Sequence, residues 1–119
     1  MNEESRKKAA LVCRALEDKK GKDLKVIEIS EISTLADYFV IVTGGNERQV
    51  QTLFDAVDKE MHDAGYTPRH TEGKNPTTWL LLDYNDVVVH ILNEEGRKFY
   101  DLEHVWRDGT PIDPATLAE

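Results

Sequence analysis

The sequence predicts one α/β domain (α+β type), in which a mixed five-stranded sheet packs against helices. Its 119 residues suffice for a single hydrophobic core. Three patterns carry the prediction: apolar stripes with helical spacing, one continuous β-favouring run, and two strands joined by a tight turn. The predicted order is roughly αββαβ(β)βα, with residues 1–107 as the domain. Residues 108–119 are expected to form a tail without regular structure, because Pro111 and Pro114 oppose it.

Two apolar stripes predict the long helices. The first helix covers residues 3–20 and stops at Gly21. The second follows Asn46, which can cap its N-terminus, and ends at Gly65. The stripe residues are Ala9, Val12, Cys13 and Leu16 in the first helix and Val50, Leu53, Phe54, Val57 and Met61 in the second.

The strand patterns differ in how deeply they predict burial. Residues 24–29 alternate imperfectly and indicate a half-buried strand, whereas 38–43, "YFVIVT", indicate a central strand buried on both faces. The segment around Pro68 suits only a short edge strand, and residues 74–78 suit a polar loop. Near the C-terminus, "NEEGRKFYDLEHVW" predicts one or two short helices with a weak point at Gly96.

The most apolar stretch, "WLLLDYNDVVVHIL", predicts a hairpin turning at Tyr84-Asn85. In that register Leu82 faces Val87 and Trp79 faces His90. A loop of three residues instead of two or four would mix the two faces. With alternating side chains, one face is aliphatic and is assigned to the core under the helices: Leu80, Leu82, Val87, Val89 and Ile91.

The opposite face of the hairpin is mixed, which is unusual for a solvated surface. Two interpretations stay open: the C-terminal segment folds over this face, or a partner covers it. A tryptophan there favours the partner, because Trp is enriched among residues that dominate binding energy. The face consists of Trp79, Leu81, Asp83, Asp86, Val88, His90 and Leu92.

Composition restricts the class of function. The net charge of −8 and pI of about 5.0 argue against broad binding to nucleic-acid phosphates and favour a basic protein partner or a cationic ligand. The single Cys13 excludes an internal disulfide framework and a cysteine-based zinc site. No apolar run has the length of a membrane span or the character of a signal peptide, so we expect a cytoplasmic protein without membrane contact.

The ionisable residues of the hairpin do not form a plausible reaction centre. Asp83 and Asp86 belong to the turn, whereas His90 lies on the order of 13 Å away by strand rise. One metal ion cannot take all three as ligands. Cys13 lies on an apolar helix stripe, where a structural thiol is favoured over a nucleophile. We therefore expect no catalytic residue, no metal site and no cofactor.

The Gly44-Gly45 turn supports an alternative hypothesis, a small nucleotidyl or phosphoryl transferase. A strand, two glycines and a helix N-terminus can cradle an anion. However, neither GxGxxG nor GxxxxGK[ST] is present, and no Asp-x-Asp pair follows to hold two metal ions.

Four blocks in this order and spacing resemble the ribosomal silencing factor family (RsfS, also called Iojap or YbeB-like). The blocks are "DYFVIVTGGNERQV", "EG", "WLLLDYNDVVVHIL" and "RKFYDLEHVW", and the resemblance covers roughly residues 5–107. It implies a nucleotidyltransferase-like fold without the catalytic carboxylates. It also implies a translational repressor that acts under nutrient limitation, and the family is associated with large-subunit maturation as well.

The partner implied by the resemblance is a large-subunit ribosomal protein, the fourteenth in its series, bound at the intersubunit face. Binding there would block association with the small subunit, with little direct rRNA contact. Self-association of two copies through the same face is a further hypothesis. The mixed hairpin face, with the turn as its rim, is the predicted partner-binding site: Trp79, Leu81, Asp83, Tyr84, Asp86, Val88 and His90.

Overall fold

The computed structural model describes residues 3–73 and 78–117, which form five helices and six strands. The mixed sheet predicted from the sequence is confirmed, with six strands instead of five. The helices are α1 (Glu3–Asp18), α2 (Glu47–Asp63), α3 (Glu94–Tyr100), α4 (Leu102–Val105) and α5 (Pro114–Leu117). The strands are β1 (Lys22–Glu28), β2 (Tyr38–Gly44), β3 (His70–Glu72), β4 (Trp79–Asp83), β5 (Val87–Asn93) and β6 (Thr110–Ile112).

The centre of the sheet is a parallel pair, β2 and β5, in the strand order β3-β4-β5-β2-β1-β6. The other four pairings are antiparallel. Every residue of β2 is buried, so the prediction of a central strand covered on both faces is confirmed. Parallel strands need a long crossover connection, and here α2, β3 and β4 lie between them in the chain.

The larger core lies between the sheet and helices α1 and α2. Both predicted helix stripes pack there, together with the aliphatic face of the hairpin, and every stripe residue except the partly buried Phe54 is buried. Asn46 caps α2 as expected: its side-chain oxygen accepts a hydrogen bond of 2.8 Å from the Gln49 N–H. A helix terminus fixed in this way sets where α2 begins relative to the end of β2.

The smaller core lies on the opposite face, beneath α3 and α4. Two short helices are present as predicted, but the break between them is at Asp101 instead of Gly96. Asp101 adopts the left-handed conformation with φ 46°, whereas Gly96 is buried inside α3. The core residues are Ile27, Ile29, Ala36, Phe39, Ile41, Val88, Leu92 and Leu102.

The hairpin register predicted from a Tyr84-Asn85 turn is wrong by two residues. Leu82 lies opposite Val89 instead of Val87, because Tyr84 is not a free turn residue. Its N–H donates to the Val87 carbonyl over 2.9 Å, and its side chain, only 4% exposed, turns into the larger core. A shift of two residues returns each side chain to its own face, so the assignment of the aliphatic face to the core is confirmed.

The expectation of an irregular tail is also wrong. β6 pairs with β1 at the edge of the sheet, where a strand tolerates Pro111 because its outer side needs no donor. Asp113 then accepts a hydrogen bond of 3.0 Å from the Ala115 N–H, and Pro114 takes the first position of α5, which suits proline. Leu117 is 3% exposed and joins the larger core.

Two further expectations concern the sheet edge and its neighbouring loop. β3 is the short edge strand expected after Pro68. The polar loop predicted at 74–78 falls outside the described residues except for Thr78. Within the described ranges, no helix combines the length and the apolar character that crossing a membrane requires.

Gly96 provides a test of this packing. A Cβ at this position would lie 2.4 Å from the Thr78 carbonyl oxygen. Alanine is favoured over glycine inside helices by about 1 kcal/mol, yet we expect Gly96→Ala to lower the free energy of unfolding by about 1–3 kcal/mol through this clash. Urea denaturation measures the change. Glu95→Ala, at an exposed position of the same helix, should stay within about 0.5 kcal/mol of the parent; a stabilised Gly96→Ala protein would contradict the packing.

Candidate partner-binding surface

The mixed face of the hairpin is covered unequally. On β4, Trp79, Leu81 and Asp83 are half-buried and alternate with buried residues. The C-terminal helices therefore cover β5 and leave the outer side of β4 partly open. The residues of β5 on this face are all buried: Val88, His90 and Leu92.

Aromatic rings form a continuous row across this face. It runs from exposed Phe99, 79% accessible, through buried Phe39 in the smaller core to the partly buried Trp106. Five of the chain's nine Phe, Tyr and Trp residues take part, which concentrates large apolar area on one side of the sheet. Successive centroid distances in the row Phe99–Tyr100–Trp79–His90–Phe39–Trp106 are 5.0, 4.5, 5.7, 4.7 and 4.9 Å.

His90 lies in the middle of this row and is 4% exposed. Its Nδ1 accepts a hydrogen bond of 3.1 Å from the indole Nε1–H of Trp79. Because the indole can only donate, a neutral His90 must carry its proton on Nε2. Burial lowers the pKa of His90 to about 4, and the Asp83 carboxylate opposes that shift. The ring is therefore neutral at pH 7 and acts as an acceptor toward Trp79.

Charged groups border the open side of β4. Asp83 accepts a hydrogen bond of 3.1 Å from Arg69 Nε. On the edge strand β3, His70 lies opposite Asp83 and Glu72 opposite Leu81, so both share the face of Trp79. His70 and Glu72 are 2.7 Å apart. The apolar strip thus ends in a polar edge, as interaction surfaces commonly do.

Two residues predicted on the rim lie elsewhere. Tyr84 is buried in the larger core. Asp86 accepts a hydrogen bond of 2.9 Å from Lys8 of α1, and both side chains are less than a fifth exposed. The turn is therefore tied to the helix side of the sheet. Asp83 and Asp86 are held by different cations, while His90 is beneath Trp79, so these three residues do not form one cluster.

Arg97, which the sequence patterns did not single out, fixes the C-terminal helices on the sheet. Its Nε and Nη2 donate to the two carboxylate oxygens of Glu103 over 2.9 and 3.0 Å. The same guanidinium donates to Thr43 Oγ1 and to the Asp23 carbonyl, each at 2.7 Å. The hydrogen bond from Arg97 lowers the pKa of Glu103. A six-residue separation matches no helical pairing rule, which is why this ion pair has no sequence signature.

The glycine turn and Cys13, which a reaction or an anion site would use, make contacts within the fold instead. The Gly45 N–H donates to Gln49 Oε1 over 2.7 Å, and the Gln49 N–H donates to Asn46, so the turn's own side chains occupy these donors. Burial and the nearby Glu17 raise the pKa of the Cys13 thiol to about 12, which makes it unreactive as a nucleophile. In the ranges 3–73 and 78–117, no three His, Cys, Asp or Glu side chains are grouped as metal ligands would be.

Comparison with known proteins identifies the relatives of this chain. A family model described as "Ribosomal silencing factor during starvation" matches residues 2–119. The chain belongs to the ribosomal silencing factor family. Its match extends through β6 and α5, which agrees with the inclusion of both elements in the fold.

Individual members support the assignment. The ribosomal silencing factor of Bacillus subtilis is 34% identical over 113 residues, which cover 95% of this chain and 94% of that protein. A crystal structure of a protein from Chromobacterium violaceum superposes with a TM-score of 0.80 at 35% identity, covering 89% of this chain and 87% of that one. A mouse protein named "Mitochondrial assembly of ribosomal large subunit protein 1" is 28% identical over 96 residues, 76% of this chain and 41% of its own. The resemblance drawn from four sequence blocks is thus confirmed.

The burial of His90 in this silencing factor predicts a pH dependence of stability. Between its ordinary pKa of 6.5 and about 4, the unfolded chain binds a proton at this position that the folded chain does not. Stability from the neutral ring is therefore complete above pH 6.5 and falls as pH decreases toward 4, by on the order of 3 kcal/mol. We expect the free energy of unfolding of His90→Phe to rise by this amount relative to that of the parent as pH falls, which urea denaturation at several pH values measures. A constant difference between the two proteins would contradict a buried neutral His90.

Proposed function

We propose that this silencing factor binds a protein of the large ribosomal subunit at the intersubunit face and thereby blocks association with the small subunit. A ribosome-associated silencing role goes with its family. The proposed binding partner is the ribosomal protein that is fourteenth in the large-subunit series, and the proposed compartment is the bacterial cytoplasm. The observation that best supports this proposal is the half-buried strip of Trp79 and Leu81, which lies beside Tyr100 and the exposed Phe99.

The composition of this strip supports a protein partner. Large aromatic and aliphatic side chains occupy its centre, while Asp83 and Glu72 lie toward the sheet edge. Such a centre suits the hot spot of an interface, and a polar rim suits its boundary. An interface of about 800 Å² per partner is typical, and β4 with the outer side of α3 offers adjoining elements for it.

The charge of the chain supports a basic ribosomal protein instead of bare rRNA. A net charge of −8 repels phosphates, yet it favours encounter with a basic surface. The proposed surface also carries acidic groups beside Leu81: Glu72 is largely exposed, and Asp83 is paired with Arg69. We therefore propose that protein contacts dominate and that direct rRNA contact is small.

Blocking subunit association requires only a bound obstacle, so no reactive group is needed. The engagement of the Gly45 donor by Gln49 supports this non-enzymatic role. The name of the mouse relative refers to assembly of the ribosomal large subunit. By analogy we propose that large-subunit maturation is a second context in which the same surface is used.

The central prediction is that Trp79→Ala weakens binding to isolated large subunits by about 2 kcal/mol or more, roughly 30-fold, because it removes the proposed hot spot. Co-sedimentation over a concentration series gives the affinity. Phe54→Ala is the matched control, since Phe54 is a partly buried aromatic residue on α2, across the sheet. It should bind like the parent.

A folded Trp79→Ala protein that binds with unchanged affinity would rule out this surface. Sucrose gradients of mixed subunits should show that the parent reduces joining and that Trp79→Ala does not. Light scattering of the free proteins shows whether the substitution changes self-association, because a symmetric dimer through the same strip is the competing use of this surface.

A further inference from the structure

We infer that His90 is a positioning residue, which holds the Trp79 ring in the orientation that the partner recognises. His90 itself is too deeply buried to contact a partner. The inference rests on the proposed function, because it assigns a role within the same surface. It changes the predicted role of His90 from a contact to a support beneath the contact.

A hydrogen bond joins the side chains of Trp79 and His90. An indole N–H is a donor only, and it needs an acceptor wherever water is excluded. His90 Nδ1 provides that acceptor at 3.1 Å. The two rings are tilted by 43° with centroids 5.7 Å apart, so the contact is directed through the nitrogen atoms and is not a face-to-face stack.

His90 is itself held in place by neighbours on several sides. It lies on β5, where Ile41 of β2 pairs with it on one side and Leu81 of β4 on the other. Phe39 packs against its ring in an edge arrangement, with centroids 4.7 Å apart and planes 67° apart. Because Ile41, Leu81 and Phe39 fix the His90 ring, the hydrogen bond to its Nδ1 restricts the orientation of the Trp79 indole.

A polar ring at the position of His90 costs free energy of folding. His90 is surrounded by apolar neighbours, and its Nε2 has no hydrogen-bond partner among residues 3–73 and 78–117. Burying an unpaired polar atom costs free energy, and an aliphatic side chain could fill the same space without that cost. The hydrogen bond to Trp79 is the interaction in the described chain that uses the polarity of His90.

The order of the Trp79 side chain in the free protein affects how tightly the proposed surface can bind a partner. Tyr100 also contacts Trp79, with centroids 4.5 Å apart, so the indole has a ring neighbour in addition to His90. A side chain already fixed in its bound orientation loses less freedom on association. Removing the acceptor leaves the indole N–H unsatisfied and frees the ring to rotate.

Nitrogen NMR of the labelled parent tests the hydrogen bond directly, in a Trp106→Phe background in which Trp79 is the only indole. We expect His90 as the Nε2–H tautomer at pH 7 and an exchange-protected Trp79 indole proton. His90→Asn places an amide oxygen near the Nδ1 position and should retain that protection, whereas His90→Phe keeps the ring and should lose it. An Nδ1–H tautomer in the parent would overturn the inference, whether or not the variants fold.

Affinity for isolated large subunits tests the role in binding. We expect His90→Phe to weaken binding about three- to tenfold through lost side-chain order, and His90→Asn to restore the parent affinity to within about twofold. If Trp79→Ala weakens binding but His90→Phe matches the parent, the positioning role fails and the proposed surface stands. If Trp79→Ala also binds like the parent, the proposed surface fails, and the positioning role fails with it.

Discussion

The parallel pairing of β2 and β5 is the constraint on which the rest of the structure depends. Both strands lie inside the sheet, and β2 is buried along its whole length. Each face above them must therefore be covered by apolar residues, since buried polar groups need partners. Helices α1 and α2 cover one face, and the shorter α3 and α4 cover the other. Helices α3 and α4, which follow both strands in the chain, thus provide the cover that the second face needs.

The carboxyl ends of these parallel strands are closed by the chain itself. In open α/β sheets, ligands commonly bind at this position. Here Arg97 donates to Thr43 at the end of β2, and Gln49 accepts from the glycine turn that follows. Lys22 and Glu94 add an exposed ion pair of 3.3 Å between β1 and α3. Side chains of the fold occupy the donors that a phosphate would use, so an anion could bind at this end only by displacing them.

Sequence patterns predicted what depends on local periodicity and missed what depends on distant contacts. The helix stripes, the buried central strand and both hairpin faces follow from spacing alone. The hairpin register does not follow from spacing, because the Tyr84 side chain packs into a core formed by helices far away in the chain. Asp86 likewise pairs with Lys8, 78 residues away, which placed it on the helix side. Pro111 argued against a strand, but an edge position with a free outer side accepts it. The strip with Trp79 and Leu81 was predictable, and cover by the C-terminal segment was one of the two interpretations left open. Which side chains of β4 that cover leaves half-buried was not predictable.

The unequal cover of the sheet explains how a rigid core and the proposed binding surface coexist. α3 and α4 are too short to reach across the whole face, so β4 keeps a strip of half-buried side chains. The row of rings joins this strip to Phe39 in the smaller core. Trp79 is therefore anchored to the most constrained part of the molecule while part of its surface remains accessible. A partner that binds there meets a group whose orientation was fixed when the chain folded, and less of the interaction energy is lost in ordering it.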